Sequence, residues 1–460
     1  MASRLQEKFL EISDANAHNK EFKRKIEFNI HQYAQSVIKG KAQYEDLELA
    51  RRKAKNIKWK ALENLDIMLL EFESNFTKRG GKVIWATDAA DALNEIKKIC
   101  DNVAAKTIVK SKSMTTEELH LNEFLEKNNI EIIETDLGEY IQQLDGEPPF
   151  HIVTPAMHKS KEDCARVFYE KLGEARGLTP QEMTAIARRN LRAKYQQAQI
   201  GITGANFIIA DIGGILVLEN EGNARLTTTF PKIHIAIVGI EKVIPSIHDL
   251  NQFLPLLATY GTGQQITVYN TIFSGPKQPN EIDGPEEMYV ILLDNGRTHL
   301  LSQVQQREAL YCIRCGACLN ACPVYKNIGG FAYNTTYSGP IGSVISPHLK
   351  GMEAFKHLSY ASSLCGNCTE VCPIHINLHN LLLYNRRDSV VQKHTTRSER
   401  IMWNIYKRMM LQRSYMNIGS ANIKNLMLRW ILRNAWGDEK EMVQIAPQSF
   451  HDWWKERKNN

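Results

Sequence analysis

The feature that most constrains this chain is a dense group of cysteines in its last third. Of nine cysteines in 460 residues, seven lie between positions 312 and 372. They form two groups, and each group ends in the dipeptide Cys-Pro. The amino terminus has no apolar run of the kind that directs secretion, so disulfide bonding is not expected. Short, regular cysteine spacing in such a chain is typical of metal binding.

The first group follows the pattern C-x2-C-x2-C-x3-C-P. Its cysteines are Cys312, Cys315, Cys318 and Cys322, followed by Pro323. In bacterial ferredoxins this pattern gives three thiolates to one iron–sulfur cluster and the fourth cysteine to a second cluster. A proline after the last cysteine suits the first turn of a helix, where no backbone N–H is required.

The second group is one cysteine short, because Ser362 stands where the pattern requires its first cysteine. In the ferredoxin arrangement each cluster also takes the last cysteine of the opposite group. The predicted ligands of cluster 1 are Cys312, Cys315, Cys318 and Cys372. The predicted ligands of cluster 2 are Cys322, Cys365 and Cys368.

The fourth ligand of cluster 2 stays open at this point. A serine oxygen, solvent, another ligand or a partner chain could complete a [4Fe-4S] cluster, or the site could hold a [3Fe-4S] cluster. An iron with an open position could also bind substrate, as metals in catalytic sites do. Zinc is the competing metal, since zinc sites also use C-x2-C pairs, but seven cysteines with two Cys-Pro endings favour two iron–sulfur clusters.

Around the cysteines the sequence predicts four segments. Residues 1–78 form a helical segment that packs on the next domain, and residues 79–300 alternate between strand and helix patterns, with HIVTP at 151–155 among the predicted strands. This alternation is typical of an α/β domain with a mostly parallel sheet and helices on both faces. Residues 301–395 are predicted to be a mainly helical ferredoxin-type domain, and 396–460 a basic, aromatic helical tail.

Several classes of function are disfavoured by composition. The most apolar stretch, residues 207–218, is too short to span a bilayer, so a cytoplasmic location is expected. The net charge of +6 is mild and scattered, which does not resemble a nucleic-acid footprint. No dinucleotide fingerprint or P-loop is visible, so one-electron relay between partners is the simplest role for the clusters.

The tail carries five of the seven tryptophans, Trp403, Trp430, Trp436, Trp453 and Trp454. Exposed aromatic and basic residues could dock a partner subunit or rest on a membrane surface as a peripheral contact. Ordinary helix packing is the default interpretation. Between the two functional alternatives, the composition favours a protein partner.

Two polar stretches of the α/β segment are candidate ligand sites. Glu219, Glu221 and Arg225 lie between two apolar strands, where Arg225 could pair with a small carboxylate. The favoured interpretation is a hydrogen-bonded loop that packs against the cysteine region. Lys110 and Lys112 precede a predicted helix, where an anion could bind, although simple capping of the helix with solvated lysines is the favoured interpretation.

Two long stretches carry a resemblance to a known family. GITGANFIIADIGGILVLENEGNARLTTTFPKIHIAIVGIEKVIPS resembles the core of the lactate-utilisation (LUD) domain. CIRCGACLNACPVY and LCGNCTEVCPIHINLH are similar to the iron–sulfur half of the same proteins. Together they resemble the lactate-utilisation iron–sulfur protein family of the LutB/YkgF type, over nearly the whole chain and least in its last 60 residues.

The resemblance implies a LUD domain in the fold class of CoA transferases and sugar-phosphate isomerases. It implies that the seven cysteines are cluster ligands, and that the second group begins without a first cysteine. It also implies an electron-transfer subunit that acts in the oxidation of L-lactate to pyruvate. The implied companions are a CCG-type iron–sulfur subunit and a smaller LUD-domain protein.

The resemblance assigns no catalytic residue, which leaves two other roles to consider. In the first, the LUD domain is itself a small-carboxylate-binding or catalytic module, with the clusters as redox or structural partners. In the second, the clusters mainly support assembly of a complex.

Overall fold

The computed structural model describes residues 2–416, 418–436 and 441–459, and the side chain of Trp436 lies outside the described part. By its internal contacts the chain divides into two units, Met1–Ser389 and Val390–Asn460. The first unit contains the helical amino-terminal segment, the α/β part and the cysteine region. The predicted segment boundaries at 78, 300 and 395 stay predictions.

The amino-terminal segment is entirely helical in its described residues. Its helices are α1 (Ala2–His18), α2 (Lys20–Lys41), α3 (Leu47–Glu63) and α4 (Leu65–Thr77). Asn19 and Asp46 cap α2 and α3 by accepting backbone N–H groups of the first turn. Buried side chains such as Ile26 and Phe72 belong to one apolar cluster that also includes residues of the α/β part and of the cysteine region. The segment therefore packs on both of its neighbours.

The α/β part follows in the alternating order that the sequence predicts. Its elements are β1 (Lys82–Ala86), α5 (Ala89–Asn102), β2 (Thr107–Lys110), α6 (Met114–Glu118), α7 (Leu121–Lys127), β3 (Glu131–Glu134), α8 (Leu137–Asp145), α9 (Lys161–Leu172), α10 (Pro180–Gln197), β4 (Ile200–Thr203), β5 (Phe207–Ile209), β6 (Gly214–Glu219), α11 (Asn223–Thr229), β7 (Ile233–Gly239), β8 (Val243–Ile244), α12 (Leu250–Thr262), β9 (Tyr269–Phe273), β10 (Glu287–Leu293) and α13 (Arg297–Ser302).

The strands form two sheets. Six of them make a sheet in the order β1-β10-β7-β4-β2-β3, in which every neighbouring pair is parallel. The other four make a smaller sheet in the order β8-β5-β6-β9, with antiparallel pairs on both sides of β6. The predicted α/β class with a mostly parallel sheet is confirmed. All of β7 is buried, as expected for the inner strand of a sheet covered on both faces.

The predicted strand at HIVTP is wrong. Residues 151–155 form an irregular loop. The backbone N–H groups of Val153 and Thr154 donate to the Nδ1 atom of His151, at 3.1 and 3.2 Å, instead of to a neighbouring strand. A local side-chain acceptor thus replaces the hydrogen bonds to a neighbouring strand that the apolar pattern suggests.

The cysteine region is mainly helical, with short helices and irregular loops. Its helices are α14 (Ala317–Ala321), α15 (Pro323–Ile328), α16 (Gly339–Leu349), α17 (Met352–Tyr360), α18 (Asn367–Glu370) and α19 (Leu378–Val391). The second unit contains α20 (Arg397–Leu411), α21 (Arg413–Met416), α22 (Ala421–Trp436) and α23 (Phe450–Asn459). Within the described ranges, no helix combines the length and apolar character needed to cross a bilayer.

A buried network of charges lies where the parallel strands end. Arg297 donates to both carboxylate oxygens of Glu118, at 2.8 and 2.9 Å, and to Glu241 Oε2 at 2.6 Å. No more than 2 % of any of these three side chains is exposed. Burial alone would raise the pKa of Glu241, but Arg297 and Arg314 outweigh it and lower that pKa to about 2. The network is therefore ionised at neutral pH.

This network predicts a large cost for removing its central cation. Arg297→Met leaves Glu118 and Glu241 buried without their main partner, so we expect a loss of about 3–5 kcal/mol in the free energy of unfolding. Thermal unfolding at a fixed scan rate should show a clearly lower midpoint. The matched control is Lys232→Met, which removes an exposed pair with Glu286 at 3.6 Å and should cost less than about 1 kcal/mol. Equal midpoints for the two variants would contradict the prediction.

Candidate metal centre and adjoining cavity

The two cysteine groups fold as a repeat, with equivalent positions 50 residues apart. Arg314 and its counterpart Leu364 both have left-handed backbone angles, with φ of 61° and 54°. Two residues further on, Gly316 and Gly366 have φ of 79° and 85° and immediately precede α14 and α18. Glycine fits these turns because it has no Cβ to clash with the backbone. The short helices α14 and α18 contact each other.

The four predicted ligands of cluster 1 lie together. One small cavity is lined by Cys312, Cys315, Cys318 and Cys372. The rest of its wall is largely apolar and includes Ile152, Ile341 and Ile374. Three of the four cysteines are buried, and Cys312 is partly buried. The local chain path thus brings three closely spaced thiols and one distant thiol to one water-poor site.

Burial of these thiols has a chemical consequence. It raises the pKa of Cys315 and Cys318 far above the usual range of a thiol, with a further contribution from neighbouring cysteines. It also raises the pKa of Cys372 to about 12. Buried thiolates therefore need compensating positive charge, which the iron of a cluster supplies. This donor set fits an iron–sulfur cluster, and cluster loading should release protons.

Backbone N–H groups point at three of the sulfurs. Arg314 N donates to Cys312 Sγ at 3.4 Å, and Ile376 N donates to Cys372 Sγ at 3.4 Å. Tyr325 N donates to Cys322 Sγ at 3.5 Å. Hydrogen bonds to ligand sulfurs stabilise their negative charge, and they are one of the ways in which proteins set cluster reduction potentials.

The three predicted ligands of cluster 2 are also neighbours, but they lie nearer the surface. Cys365 is exposed, Cys322 is partly buried and Cys368 is buried. Burial first, and then the nearby Cys322 and Cys365, raise the pKa of Cys368 to about 11. In the described ranges no three His, Cys, Asp or Glu side chains converge as tightly as a single ion requires. A cluster is larger than an ion, so its ligands stand further apart.

Helix α3 holds the second cysteine group in place. Arg51 donates from Nη2 to the carbonyl oxygens of Cys372 and Glu370, at 2.8 and 2.7 Å. Lys55 donates to the carbonyl of His375 at 2.9 Å. Sequence reasoning missed these two residues, because a lysine or arginine on a polar helix carries no signal of its distant partner.

The two remaining cysteines lie outside both groups. Cys100 is buried in α5, where burial raises its pKa to about 11. Cys164 lies partly buried in α9, and burial likewise raises its pKa. Both are placed as small apolar side chains within helices, as their sequence context suggests.

A larger cavity of about 370 Å³ adjoins the first cysteine group at the carboxyl ends of β2 and β4. Ligands of open α/β sheets bind at such strand ends. Its charged lining residues are Lys112, Asp136, Glu219, Glu221, Lys242 and Arg314. Arg314 and Cys315 line both this cavity and the one formed by the cluster 1 thiols. The two cavities therefore share a wall.

The predicted carboxylate-binding residues separate in the structure. Glu219 and Glu221 line the large cavity, whereas Arg225 does not. The Arg225 guanidinium instead packs over the ring of Tyr269, 5.5 Å from its centroid. Glu219 accepts the backbone N–H groups of Ala224 and Arg225, at 2.6 and 3.0 Å, at the start of α11. That helix turns the Arg225 side chain away from the cavity.

The two predicted lysines also have different roles. Lys110 is fully buried and pairs with Glu117 and Glu134, at 2.6 and 2.7 Å, so it is part of the fold. Lys112 lines the cavity and donates to the carbonyl of Val153 at 2.5 Å. Ser113 caps α6 by accepting Thr116 N at 3.3 Å, which agrees with the capping part of the favoured interpretation, but the prediction of a solvated lysine is wrong for the buried Lys110.

The cavity wall includes an arginine with two unpaired N–H donors and an acid whose pKa is raised. Arg314 Nη2 lies 3.5 Å from Glu241, but its Nε and Nη1 atoms are buried without a hydrogen-bond partner. Buried donors of this kind require an explanation, such as a bound ligand. Glu221 lies at the exposed rim, yet the surrounding protein and then the carboxylate of Asp136 raise its pKa to about 7.

Comparison with known proteins matches both halves of the chain. Residues 69–293 match the LUD domain, and residues 308–376 match the 4Fe-4S dicluster domain. Lactate utilization protein B of Bacillus cytotoxicus is 42 % identical over 421 residues, covering 89 % of this chain and 88 % of that protein. The protein of the same name from Bacillus thuringiensis (strain Al Hakam) is 40 % identical over 419 residues, with coverage of 89 % and 88 %.

Among solved structures, a DUF162 family protein from Deinococcus radiodurans covers 50 % of this chain and 98 % of its own. Its sequence identity is 13 % and its TM-score is 0.29.

The two equivalent glycines of the repeat give a matched pair of variants. Both positions disfavour a side chain by about 1–2 kcal/mol, because their φ is left-handed. At Gly316 an added Cβ would also lie 3.0 Å from Val153 and 3.2 Å from His151, whereas nothing lies within 4 Å at Gly366. Gly316→Ala should therefore lower iron content and unfolding temperature more than Gly366→Ala. The opposite order, measured by iron assay and thermal unfolding, would contradict this geometry.

Proposed function

Because the chain belongs to the family of lactate utilization protein B, with a LUD domain and a 4Fe-4S dicluster domain, we propose that it is the electron-transfer subunit of a complex that oxidises L-lactate to pyruvate. One observation carries the proposal. The cysteines form two adjacent groups, one buried beside a cavity and one that reaches the surface. Such an arrangement suits electron relay.

The proposed ligands follow the two groups. Cluster 1 takes Cys312, Cys315, Cys318 and Cys372, and cluster 2 takes Cys322, Cys365 and Cys368 with a fourth ligand of another kind. When bound, the clusters supply one-electron chemistry. The chain itself would hold the thiolates, donates N–H groups to three of the sulfurs and buries three of the four cysteines of cluster 1.

Exposure gives the relay two distinct ends. Cys365 is exposed, so a redox partner can approach this side of the chain closely. Cys315 is buried and forms part of the large cavity wall. The proposed companions are a CCG-type iron–sulfur subunit and a smaller LUD-domain protein, one of which would meet the exposed side. A cytoplasmic location belongs to the same proposal.

Iron analysis with electron paramagnetic resonance tests this role. Protein purified without oxygen should contain about eight irons per chain and show two interacting signals on reduction, as expected for two four-iron clusters. The isolated chain should be reducible, yet should not oxidise L-lactate without its partners. Zinc in place of iron would reject the cluster assignment. Lactate turnover by the isolated chain would reject a purely electron-transferring subunit.

A second candidate function is binding of a small carboxylate in the large cavity. Lys112, Lys242 and Arg314 contribute positive charge there, and Arg314 has two buried N–H donors without partners. A carboxylate matches such donors in both charge and geometry. Because Arg314 also lines the cluster 1 cavity, a bound acid would lie next to the buried end of the relay.

Calorimetry under anaerobic conditions tests this second function, with L-lactate and pyruvate as probes. Lys242→Met should weaken binding about tenfold to a hundredfold, since a hydrogen bond to a charged group is worth about 1.5–3 kcal/mol. Arg225→Met is the control, because Arg225 lies outside the cavity wall. Absence of binding to the wild-type chain would reject carboxylate binding. Weaker binding in the Arg225 variant alone would place the site at the loop instead.

A further inference from the structure

We propose that the hydroxyl oxygen of Ser362 is the fourth protein ligand of cluster 2. The inference rests on the proposed function only in requiring that the chain holds two clusters. It concerns the iron that the three cysteines of the second site leave without a thiolate. Three features support it: the repeat geometry, the local backbone strain and the anchoring of Ser362.

The first feature is a hydrogen bond that recurs in both halves of the repeat. In the first half, Arg314 N donates to Cys312 Sγ at 3.4 Å. In the second half, Leu364 N donates to Ser362 Oγ at 3.2 Å. The donor follows the acceptor by two residues in each case. Ser362 Oγ therefore occupies the position that corresponds to a cluster ligand in the other half.

The second feature is the backbone conformation that makes this bond. Leu364 has a φ of 54°, which is unusual for a bulky residue without a special turn preference. Such strain persists only where the surrounding structure imposes it, and it concentrates at functional sites. The turn at Leu364 repeats the left-handed turn at Arg314, two residues after Ser362 as Arg314 is two residues after Cys312.

The third feature is the anchoring of the serine. Arg386 of α19 donates to the carbonyl of Ser362 at 3.2 Å and to that of Ser359 at 2.9 Å. Ser362 N donates to the carbonyl of Tyr360 at 2.9 Å. Ser362 is thus held on both sides and is partly buried, whereas the adjacent Ser363 is exposed. Of the two neighbouring serines, Ser362 is therefore the one that the structure holds in place, and Ser363 lies at the surface.

Formation of the bond between the Ser362 oxygen and iron would be accompanied by loss of the hydroxyl proton. The hydroxyl gives up its proton to solvent, and the alkoxide oxygen forms the bond to iron, with no change in electron count. In the structure Ser362 Oγ accepts the Leu364 N–H, an interaction that would stabilise the alkoxide. Because an oxygen ligand is harder than a sulfur ligand, it favours the more oxidised iron and lowers the potential of cluster 2.

Three variants of the 460-residue chain test the assignment. Anaerobically purified wild type should keep about eight irons after mild oxidation and show no three-iron signal. Ser362→Ala should lose about one iron per chain under the same treatment and give a three-iron signal. Ser362→Cys should keep its iron and raise the midpoint potential of one cluster only. Ser363→Ala, the control, should match wild type.

Several outcomes would overturn the assignment. A three-iron signal in oxidised wild type, or a Ser362→Ala variant that keeps its iron as wild type does, would show that the serine is not a ligand. If Ser362→Ala fails to fold, the potential measured in Ser362→Cys decides, and an unchanged potential in both clusters would reject the serine. Failure of the proposed function would give a different result from failure of the serine assignment. If the chain held zinc, or no iron, the signal of cluster 1 would be absent as well.

Discussion

The buried charge network at the carboxyl ends of the strands is the interaction on which the rest of the site depends. Arg297 joins Glu118, at the end of α6, to Glu241, just after β7. Glu241 then pairs with Arg314, inside the first cysteine group. A second connection runs from Glu118 to the hydroxyl of Tyr337, which donates at 2.7 Å. Buried charges are costly unless they are paired, so this network fixes the cysteine loop against the strand ends in one arrangement.

That attachment explains why the cavity and the buried cysteine group share a wall. Open parallel sheets form their ligand sites at the carboxyl ends of strands, and here the first cysteine loop closes one side of that site. Cys315 and Arg314 consequently face both spaces. Helix α3 completes the arrangement from the other side, through Arg51 and the carbonyl of Cys372. The amino-terminal segment therefore helps to hold the cysteine region in place.

The sequence could predict those parts that depend on local pattern. Alternating apolar segments indicated the parallel sheet, and cysteine spacing indicated two groups that the structure does bring together. The sequence could not predict features that depend on the direction of a side chain or on a partner far away in the sequence. HIVTP has a strand-like pattern, but His151 captures its backbone donors. Arg225 stands next to the cavity acids in sequence, but α11 directs it towards Tyr269. Lys242 and Arg314, which do line the cavity, are far apart in sequence.

The distribution of charge also distinguishes the two cysteine groups. Burial lowers the pKa of Lys58 to about 7 and that of Lys242 to about 8, although the neighbouring Cys312 opposes both shifts, whereas Cys312 helps to raise the pKa of Arg314 against burial. Positive charge on these three side chains stabilises negative charge at the first group by the same interaction. The second group has the exposed Cys365. The charge pattern therefore adds to the difference in exposure between the buried group beside the cavity and the group that reaches the surface.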